Sequence, residues 1–409
     1  MKAEIIAIGS ELLTPDHLDT NSLILTGRLN DAGFEVRVKT IVGDRVDDIA
    51  GVLRIALQRS DVIILCGGLG PTEDDLTRTA VAQVLGRPIF VDPDIVESLR
   101  RRFARRGYSM PAINERQAQI IQGAEILANP HGSAPGMWLV EQGIGVALLP
   151  GPPRELEAMF EAGVLPHVKS LGGGRRQAKV AINVTGMTES EVDSLVAPIY
   201  KAYPSVQTTI LASVGHIALR LSRWLESGEQ PQDLNEVANR IRAALGDAVF
   251  SSAGETLEAV VGGLLRKSGR TLAVAESCTS GMLAARVTSV PGSSDYFLGG
   301  VLCYSNEAKI RLCRVPEEML AQHGAVSPEV AEALAHGTRE NLKSSIGLSI
   351  TGVAGPGGGS AEKPVGLVFV GWADETCTTH WRRMIPGDRE TIRERAAYFA
   401  LSRLRAFLM

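Results

Sequence analysis

The sequence has few cysteines, no long apolar run and no excess of basic charge, and each shortage excludes a class of protein. Its five cysteines among 409 residues form no CxxC pair, which argues against a disulfide-stabilised scaffold. No apolar run approaches the about 20 residues that a membrane-spanning helix needs, and the first residues lack the layout of a signal peptide. We therefore expect a cytoplasmic protein with reduced cysteines and no membrane partner.

Nucleic acid is not an expected partner either. The formal net charge is -4, whereas binding to nucleic acid requires clustered Lys and Arg side chains. The dense basic run LRRRFARRG, residues 99–107, has helical spacing. We interpret it as the solvated face of a helix.

What the sequence does have is an alternation of strand-like and helix-like segments. The length favours two or three domains. In the first third, apolar runs such as AEIIAIGS and DVIILCGG alternate with amphipathic stretches such as NSLILTGRLNDAG and LTRTAVAQVLG. This order is typical of a parallel sheet with helices on both faces. The same order of strand, loop and helix occurs again in GVALLPGPPRELEAMFEAG near residue 150, so we place the first domain at residues 1–170.

The pattern changes after a glycine-rich stretch. LGGGRRQAK, residues 171–179, has the composition of a linker. A strand, a helix, a strand pair and a second helix follow, and they predict a small α+β module at residues 176–250. Strands and helices alternate again over residues 256–409. The predicted fold class is α/β, with two three-layer α/β domains joined by the small α+β module.

The C-terminal domain places two candidate nucleophiles side by side. In LAVAESCTSG a strand ends at Glu276, Ser277 and Cys278 follow, and a helix is predicted to open at Gly281. The unpaired N–H groups and the positive dipole end of that helix could hold a phosphate or an oxyanion. Ser and Thr are also preferred N-cap residues, so helix capping is the alternative interpretation.

A lysine near the start of the next predicted helix is a candidate general base. In GGVLCYSNEAKIRL, Ser305 or Asn306 caps a helix, Lys309 lies about one turn inside it, and Tyr304 precedes it. The positive helix end and partial desolvation would disfavour the ammonium form. A serine nucleophile needs such a neutral base. The alternative is a surface lysine on an amphipathic helix.

A third strand end in the same domain is rich in glycine. SITGVAGPGGGS, residues 349–360, allows close approach of the backbone to a phosphate or a tight turn. It lacks the lysine of a P-loop and the spacing of a dinucleotide fingerprint. Because α/β sites gather at the carboxyl ends of strands, these three strand ends together predict one site.

In the first domain the densest signal is ILCGGLGPTEDDLTRTA, residues 64–80. Its glycines offer close approach to a phosphate, and its acids, Glu73, Asp74 and Asp75, offer oxygen ligands for a hard cation such as Mg²⁺. The alternative is a glycine turn followed by acids that favour a helix start. Four companion segments follow strand-like runs: GSELLTPDHLDTNS, VGDRVDDI, NPHGSAPGMW and LPGPPRE.

The C-terminal motifs AESCTSG, YSNEAK with HGAVSPEVA, and SITGVAGPGGGS together resemble the C-terminal domain of the competence/damage-inducible protein A (CinA) family. That domain is similar to nicotinamide mononucleotide deamidase. The resemblance implies that Ser277 is the nucleophile, that Lys309 and Tyr304 assist it, and that the product is nicotinate mononucleotide with ammonia. No cofactor is implied for this domain. The residues expected to hold oxyanion or nucleotide are Thr279, Ser280, Gly281, Gly352, Gly355, Gly357 and Gly358.

A serine paired with a neutral lysine supports that chemistry independently. Amide hydrolysis needs a nucleophile, a proton acceptor that later protonates ammonia, and donors for the oxyanion. Ser277 with Lys309 matches the known Ser-Lys variant of the catalytic triad, Tyr304 could relay the proton, and N–H groups after Ser277 could hold the oxyanion. A different hypothesis makes Cys278 the nucleophile.

The N-terminal segments resemble the molybdopterin-binding-like domain that opens CinA proteins. In that family the domain is similar to a metal-dependent ADP-ribose pyrophosphatase, which implies a divalent metal such as Mg²⁺ and ADP-ribose as substrate. The residues expected at the phosphate are Gly67, Gly68, Gly70 and Thr72. The candidate metal ligands are Glu11, Asp44, Asp74 and Asp75.

The middle module resembles the KH-type domain of CinA. Its TGMTES segment supplies one glycine where an RNA-binding GxxG loop needs two, so we expect a spacer or dimer contact, and a homodimer overall. The leading hypothesis is a bifunctional pyridine-nucleotide salvage enzyme. The alternative is a molybdopterin-binding or competence- and damage-associated binding protein with one or both sites inactive.

Overall fold

The computed structural model describes residues 1–105, 107–172 and 174–409. The chain divides into two compact units, one of Met1–Gln177 with Trp224–Gln230 and one of Ala178–Arg223 with Pro231–Met409. Most of the predicted α+β module therefore lies in the same unit as the C-terminal third. Arg106 of the basic run and Gly173 of the predicted linker lie outside the described residues.

The first unit alternates strands and helices as expected from its apolar runs. Its strands are β1 (Lys2–Ile8), β2 (Glu35–Val42), β3 (Val62–Cys66), β4 (Ile89–Val91), β5 (Gln119–Ile121), β6 (Glu125–Leu127), β7 (Gly136–Glu141) and β8 (Ile144–Leu149). Its helices are α1 (Asn21–Asp31), α2 (Val46–Ala56), α3 (Thr77–Leu85), α4 (Pro93–Ala104), α5 (Pro153–Met159) and α6 (Leu165–Ser170).

The main sheet of this unit has the order β2–β1–β3–β8–β7–β6. The first four strands are parallel, and β7 and β6 continue the sheet antiparallel. Alternate residues of β1 point to opposite faces, so that Ile6 packs with α2 and α3 and Ile5 packs with α1 and α5. The three-layer prediction is confirmed. The carboxyl ends of β1, β3 and β8 meet at one edge.

The module that follows is a small sheet covered by two helices. Its strands are β9 (Arg176–Thr185), β10 (Gln207–Ser213), β11 (His216–Leu225) and β12 (Val249–Ser251), in the order β10–β11–β9–β12. Its helices α7 (Glu189–Tyr200) and α8 (Gln232–Leu245) share one apolar core with the sheet. The end of the predicted linker is already part of β9.

The C-terminal third is a second three-layer domain. Its strands are β13 (Leu272–Glu276), β14 (Phe297–Leu302), β15 (Ile346–Gly352), β16 (Leu367–Ala373) and β17 (Thr378–Met384). Its helices are α9 (Leu257–Ser268), α10 (Met282–Thr288), α11 (Asn306–Cys313), α12 (Glu317–His323), α13 (Pro328–Leu342) and α14 (Arg389–Leu408). The sheet order is β14–β13–β15–β16–β17.

Only part of this second sheet follows the expected alternation. β14, β13 and β15 are parallel, whereas β16 and β17 add antiparallel strands with no helix between them. One face packs on α9, α10 and α14, and α13 covers the other face. The carboxyl ends of β13, β14 and β15 again share an edge. No helix among the described residues is long and apolar enough to cross a membrane.

Candidate active sites at two sheet edges

Ser277 lies at the carboxyl end of β13, in a turn rather than in a helix. Its N–H donates to the carbonyl of Ile350 on the neighbouring strand, at 3.0 Å. Ser280 and Gly281 both have left-handed backbones, with φ of 52° and 91°, and α10 begins only at Met282. The helix therefore begins one residue after the predicted Gly281, because two consecutive left-handed residues cannot continue into a right-handed helix.

The N-terminus of α10 is occupied by a side chain that the sequence did not single out. Glu276 is 1% exposed, and its carboxylate accepts hydrogen bonds from the N–H groups of Gly281, Leu283 and Ala284 at 2.8–3.0 Å. An acidic group at this position satisfies unpaired donors and complements the helix dipole. Gly281 therefore donates within the protein, and α10 offers no free N-terminus to a ligand.

Lys309 reaches Ser277 from the first turn of α11. Ser305 caps this helix as expected, accepting from the N–H of Ala308. Lys309 is 1% exposed, and its Nζ lies 3.2 Å from Ser277 Oγ. Nζ also donates to the carbonyls of Cys303 and Tyr304, at 2.9 and 3.1 Å. The structure thus brings the predicted nucleophile and the predicted base together.

Burial determines the ionisation of the groups around Ser277. All three hydrogen-bond partners of Lys309 Nζ are uncharged, and burial holds the pKa of Lys309 below its ordinary value of 10.5. Burial acts in the opposite direction on Cys278, and it raises the pKa of that thiol to about 12. The environment favours a neutral lysine and a protonated cysteine, so the anionic nucleophile that the Cys278 hypothesis needs is disfavoured.

Tyr304 contacts Lys309 through its backbone and not through its hydroxyl. The side chain is 62% exposed, and its hydroxyl lies 3.5 Å from a guanidinium nitrogen of Arg389. Arg389 also donates to the carbonyl of Gly355, at 2.7 Å. The expected relay through the Tyr304 hydroxyl therefore has no contact with Lys309 in this geometry. Its backbone carbonyl instead helps to orient the amine.

The glycine-rich loop after β15 approaches the same edge, but its glycines have different surroundings. A Cβ on Gly352 would lie 2.7 Å from the carbonyl of Leu367, so close pairing with β16 explains this glycine. Gly355 has a φ of 76° and would meet Val365. Open space surrounds Gly357 and Gly358. Only the last two leave room that a ligand could use without competing with packing.

The N-terminal domain has a cleft of about 310 Å³ at the carboxyl edge of its sheet. It is lined by the predicted residues Glu11, Asp44, Gly67, Gly68, Gly70, Thr72, Asp74 and Asp75, together with residues from the loops around Ser133 and Pro150 and with Glu155 of α5. All the residues predicted for phosphate and metal therefore border one cavity.

Two of these glycines are required by close packing. Gly67 has a φ of 107°, and a Cβ there would overlap the carbonyl of Ile8. Gly68 has a φ of 63°, and a Cβ there would overlap the hydroxyl of Thr77. That hydroxyl donates to the carbonyl of Gly67 at 2.8 Å. The glycines let the chain turn sharply between β3 and α3, which forms the floor of the cleft.

The four acids do not form a ready-made metal site. Asp75 accepts from the N–H groups of Gly70 and Thr72, both at 2.7 Å, and from the Thr72 hydroxyl. Asp44 accepts from the N–H of Ser10 at 2.7 Å. Within residues 1–105, 107–172 and 174–409, no group of three or more His, Cys, Asp or Glu side chains is arranged to hold a metal ion. Asp75 and Asp44 instead shape their loops.

Comparisons with known proteins match both halves of the chain. The family model described as "CinA C-terminal domain" matches residues 254–408, and the model described as "Probable molybdopterin binding domain" matches residues 4–170. A CinA-like protein of Koribacter versatilis is 49% identical over 414 residues, covering 100% of both chains. A CinA-like protein of Solibacter usitatus is 48% identical, covering 99% of this chain and 98% of its own.

This chain belongs to the CinA family. Among solved structures, CinA from Thermoplasma acidophilum is 30% identical and covers 41% of this chain and 99% of its own, with a TM-score of 0.39. The CinA resemblance inferred from the sequence motifs is confirmed, and so is the α/β fold class.

Several residues of this CinA-family chain escaped sequence reasoning. Arg393 donates to the carbonyls of Cys278 and Thr279, both at 3.1 Å, across more than 100 residues of sequence. In the first unit, Arg78 is 2% exposed and donates to the carbonyl of Leu69, and burial lowers its pKa to about 10. Arg78 belongs to the motif on which the N-terminal prediction rests, so its position close to the acids in the sequence could have identified it. No sequence motif identified Arg393.

Proposed function

We propose that the C-terminal domain is a Ser-Lys amidohydrolase that converts nicotinamide mononucleotide to nicotinate mononucleotide and ammonia. One observation carries the proposal: a buried lysine amine lies 3.2 Å from the hydroxyl of Ser277. That distance allows direct proton transfer between nucleophile and base.

The contacts of Lys309 suit the neutral amine. A neutral amine has two N–H donors and one lone pair. The carbonyls of Cys303 and Tyr304 can accept the two donors, which leaves the lone pair for the hydroxyl proton of Ser277. Because burial lowers the pKa of Lys309, deprotonation of the ammonium group requires less free energy here than in water.

The reaction follows from these two side chains. Ser277 Oγ attacks the carboxamide carbon while its proton moves to Lys309 Nζ, and the carbonyl oxygen becomes an oxyanion. Lys309 then gives the proton to the amide nitrogen, the C–N bond breaks and ammonia leaves. Water, deprotonated by the same amine, attacks the acyl-serine ester and releases the carboxylate product. Such a two-step route is typical of nucleophilic catalysis.

The choice of nicotinamide mononucleotide rests on the sequence resemblance, and the surroundings of Ser277 are compatible with a nucleotide. Arg389 brings a guanidinium to the Tyr304 hydroxyl and to the glycine-rich loop. A guanidinium suits a phosphate group, and the same loop has open space at Gly357 and Gly358.

The direct test is incubation of the full chain with nicotinamide mononucleotide. We expect ammonia and nicotinate mononucleotide in equal amounts, without added metal. Absence of both products, where a control deamidase is active, would contradict the proposal, and so would cleavage at the glycosidic bond or the phosphate.

For the N-terminal domain we propose hydrolysis of the pyrophosphate of ADP-ribose. The supporting observation is the cleft of about 310 Å³, which is lined by glycine turns and acidic side chains. Dependence on a divalent cation such as Mg²⁺ is part of this proposal. Mg²⁺ is usually held by one or two carboxylates together with substrate phosphates, and Glu11 and Asp74 are the exposed acids of the cleft.

Binding of a molybdopterin-like ligand is the alternative for this cleft. The description of the matching family model favours it. A binding protein would retain a pterin phosphate without turning over ADP-ribose, so product formation distinguishes the two functions.

A further inference from the structure

The turn formed by residues 277–281, which carries the nucleophile, is held from two sides by charged side chains. Glu276 accepts from N–H groups at the end of the turn and the start of α10. Arg393, on the first turns of α14, donates to the carbonyls of Cys278 and Thr279 at 3.1 Å each. Hydrogen bonds from a charged guanidinium are stronger than those between neutral groups. The turn therefore has one fixed orientation.

These contacts determine where the amide N–H groups of the turn point. The Cys278 carbonyl belongs to the same peptide unit as the Thr279 N–H, and the Thr279 carbonyl to the same unit as the Ser280 N–H. In a planar trans peptide the C=O and N–H bonds point in opposite directions. Because both carbonyls face Arg393, both N–H groups point away from α14.

Neither of these N–H groups has a hydrogen-bond partner within the described residues. Among the hydrogen bonds of the described part of the chain, none has the N–H of Thr279 or Ser280 as donor. The Thr279 hydroxyl also lacks a hydrogen-bond partner, although the residue is fully buried. Buried polar groups normally have partners. Three unpaired donors within three residues of Ser277 indicate a position for an electronegative atom.

We propose that Arg393 is a positioning residue that orients and polarises the amide N–H groups of Thr279 and Ser280 as the oxyanion site of the amidohydrolase. This inference rests on the proposed function of the C-terminal domain. When the Ser277 Oγ–C bond forms and the carbonyl π bond breaks, the electron pair moves to the carbonyl oxygen, and the Ser277 proton moves to Lys309. A cation bound to the two carbonyls draws electron density from the peptide units and makes their N–H groups stronger donors.

The test compares Arg393→Gln with Arg395→Gln in the full chain. Arg395 lies on the same helix, but its guanidinium donates to the carbonyl of Pro386. We expect Arg393→Gln to lower kcat roughly 10- to 100-fold, somewhat less than the loss of an oxyanion donor itself. KM should change less than about threefold, since donors aimed at the transition state contribute little to substrate binding. Arg395→Gln should match the wild type.

Two further readouts separate positioning from general damage. The midpoint of the pH–rate profile should stay unchanged in Arg393→Gln, because the three contacts of Lys309 do not involve Arg393. An aldehyde analogue of nicotinamide mononucleotide, which forms a hemiacetal with Ser277, should bind at least about tenfold more weakly to Arg393→Gln, while KM is retained. Arg393→Lys keeps the positive charge but loses the paired N–H donors of the guanidinium. Its affinity for the aldehyde should lie between those of the wild type and Arg393→Gln.

Unchanged kcat in Arg393→Gln would overturn the inference. Equal losses of aldehyde affinity and substrate affinity would also overturn it, since they indicate a disordered pocket. If the wild type itself releases no ammonia, the proposed function fails instead, and the two failures are therefore distinguishable.

Discussion

At the scale of single residues, the proposed chemistry depends on the ionisation of Lys309. The amine is removed from water, and its three hydrogen-bond partners are uncharged. Desolvation disfavours the ammonium form of Lys309 and outweighs the opposing effect of the neighbouring cysteine thiols on its pKa. A residue that would be a cation on the surface thereby becomes a base beside Ser277.

The pH dependence of deamidation follows from this. The neutral amine is the active form, and its fraction increases as pH rises through the pKa of Lys309. Because burial lowers that pKa, we expect kcat to rise with pH through a midpoint below 10.5 and then to level off. The kcat of Lys309→Arg should be about 10²–10⁴-fold lower than that of the wild type at every pH, since a guanidinium does not deprotonate. A profile that falls with rising pH over this range would contradict the role of Lys309 as base.

Individual residues differed in how well the sequence predicted them. Ser277 and Lys309 stand in local motifs at strand ends, and their side chains meet because β13 and β14 are adjacent. Glu276 belongs to the same motif, but its three hydrogen bonds depend on the left-handed turn after it. Arg393 lies on a helix more than 100 residues away. Its contact depends on how α14 packs, which no local pattern encodes.

At the scale of secondary-structure elements, strand-to-helix turns form both candidate sites. The turn between β3 and α3 requires Gly67, because a side chain there would overlap the Ile8 carbonyl and φ is 107°. Such a backbone is unfavourable for any residue with a Cβ.

Gly67→Ala should therefore abolish ADP-ribose hydrolysis while deamidation continues. Gly27→Ala is the matched control, because Gly27 lies in α1 with open space around it. This control should keep both activities and stabilise the domain by about 0.5–1 kcal/mol. Product assays together with thermal unfolding measure both effects, and full pyrophosphatase activity in Gly67→Ala would refute this account of the turn.

The sequence predicted most elements and missed some of their connections. The period of the apolar residues identified α1, α2, α3 and the core strands of both domains. It did not reveal that β16 and β17 are antiparallel neighbours of β15. LVFVGWA is apolar throughout, and a strand buried on both faces looks the same in parallel and antiparallel sheets.

At the scale of the whole molecule, the two proposed reactions belong to two different units of one chain. The proposed deamidation uses Ser277 and Lys309 as nucleophile and base and involves no metal ion, whereas the proposed pyrophosphatase requires a divalent cation. A chelator should therefore stop ADP-ribose cleavage by the full chain and leave ammonia release unchanged. Equal inhibition of both activities would contradict the assignment. The expected homodimer stays a prediction, which light scattering can test against the 43.6 kDa of one chain.

The proposed deamidation depends on attack by Ser277, and not by the neighbouring Cys278, on the carboxamide carbon. The most direct measurement is ammonia release from nicotinamide mononucleotide by the wild type, Ser277→Ala and Cys278→Ala under identical conditions. We expect the rate of ammonia release to fall by about 10⁴-fold or more in Ser277→Ala, as for other catalytic serines. The rate of Cys278→Ala should stay within about tenfold of the wild type, since the buried thiol only packs beside the turn. An active Ser277→Ala with an inactive Cys278→Ala would contradict the account.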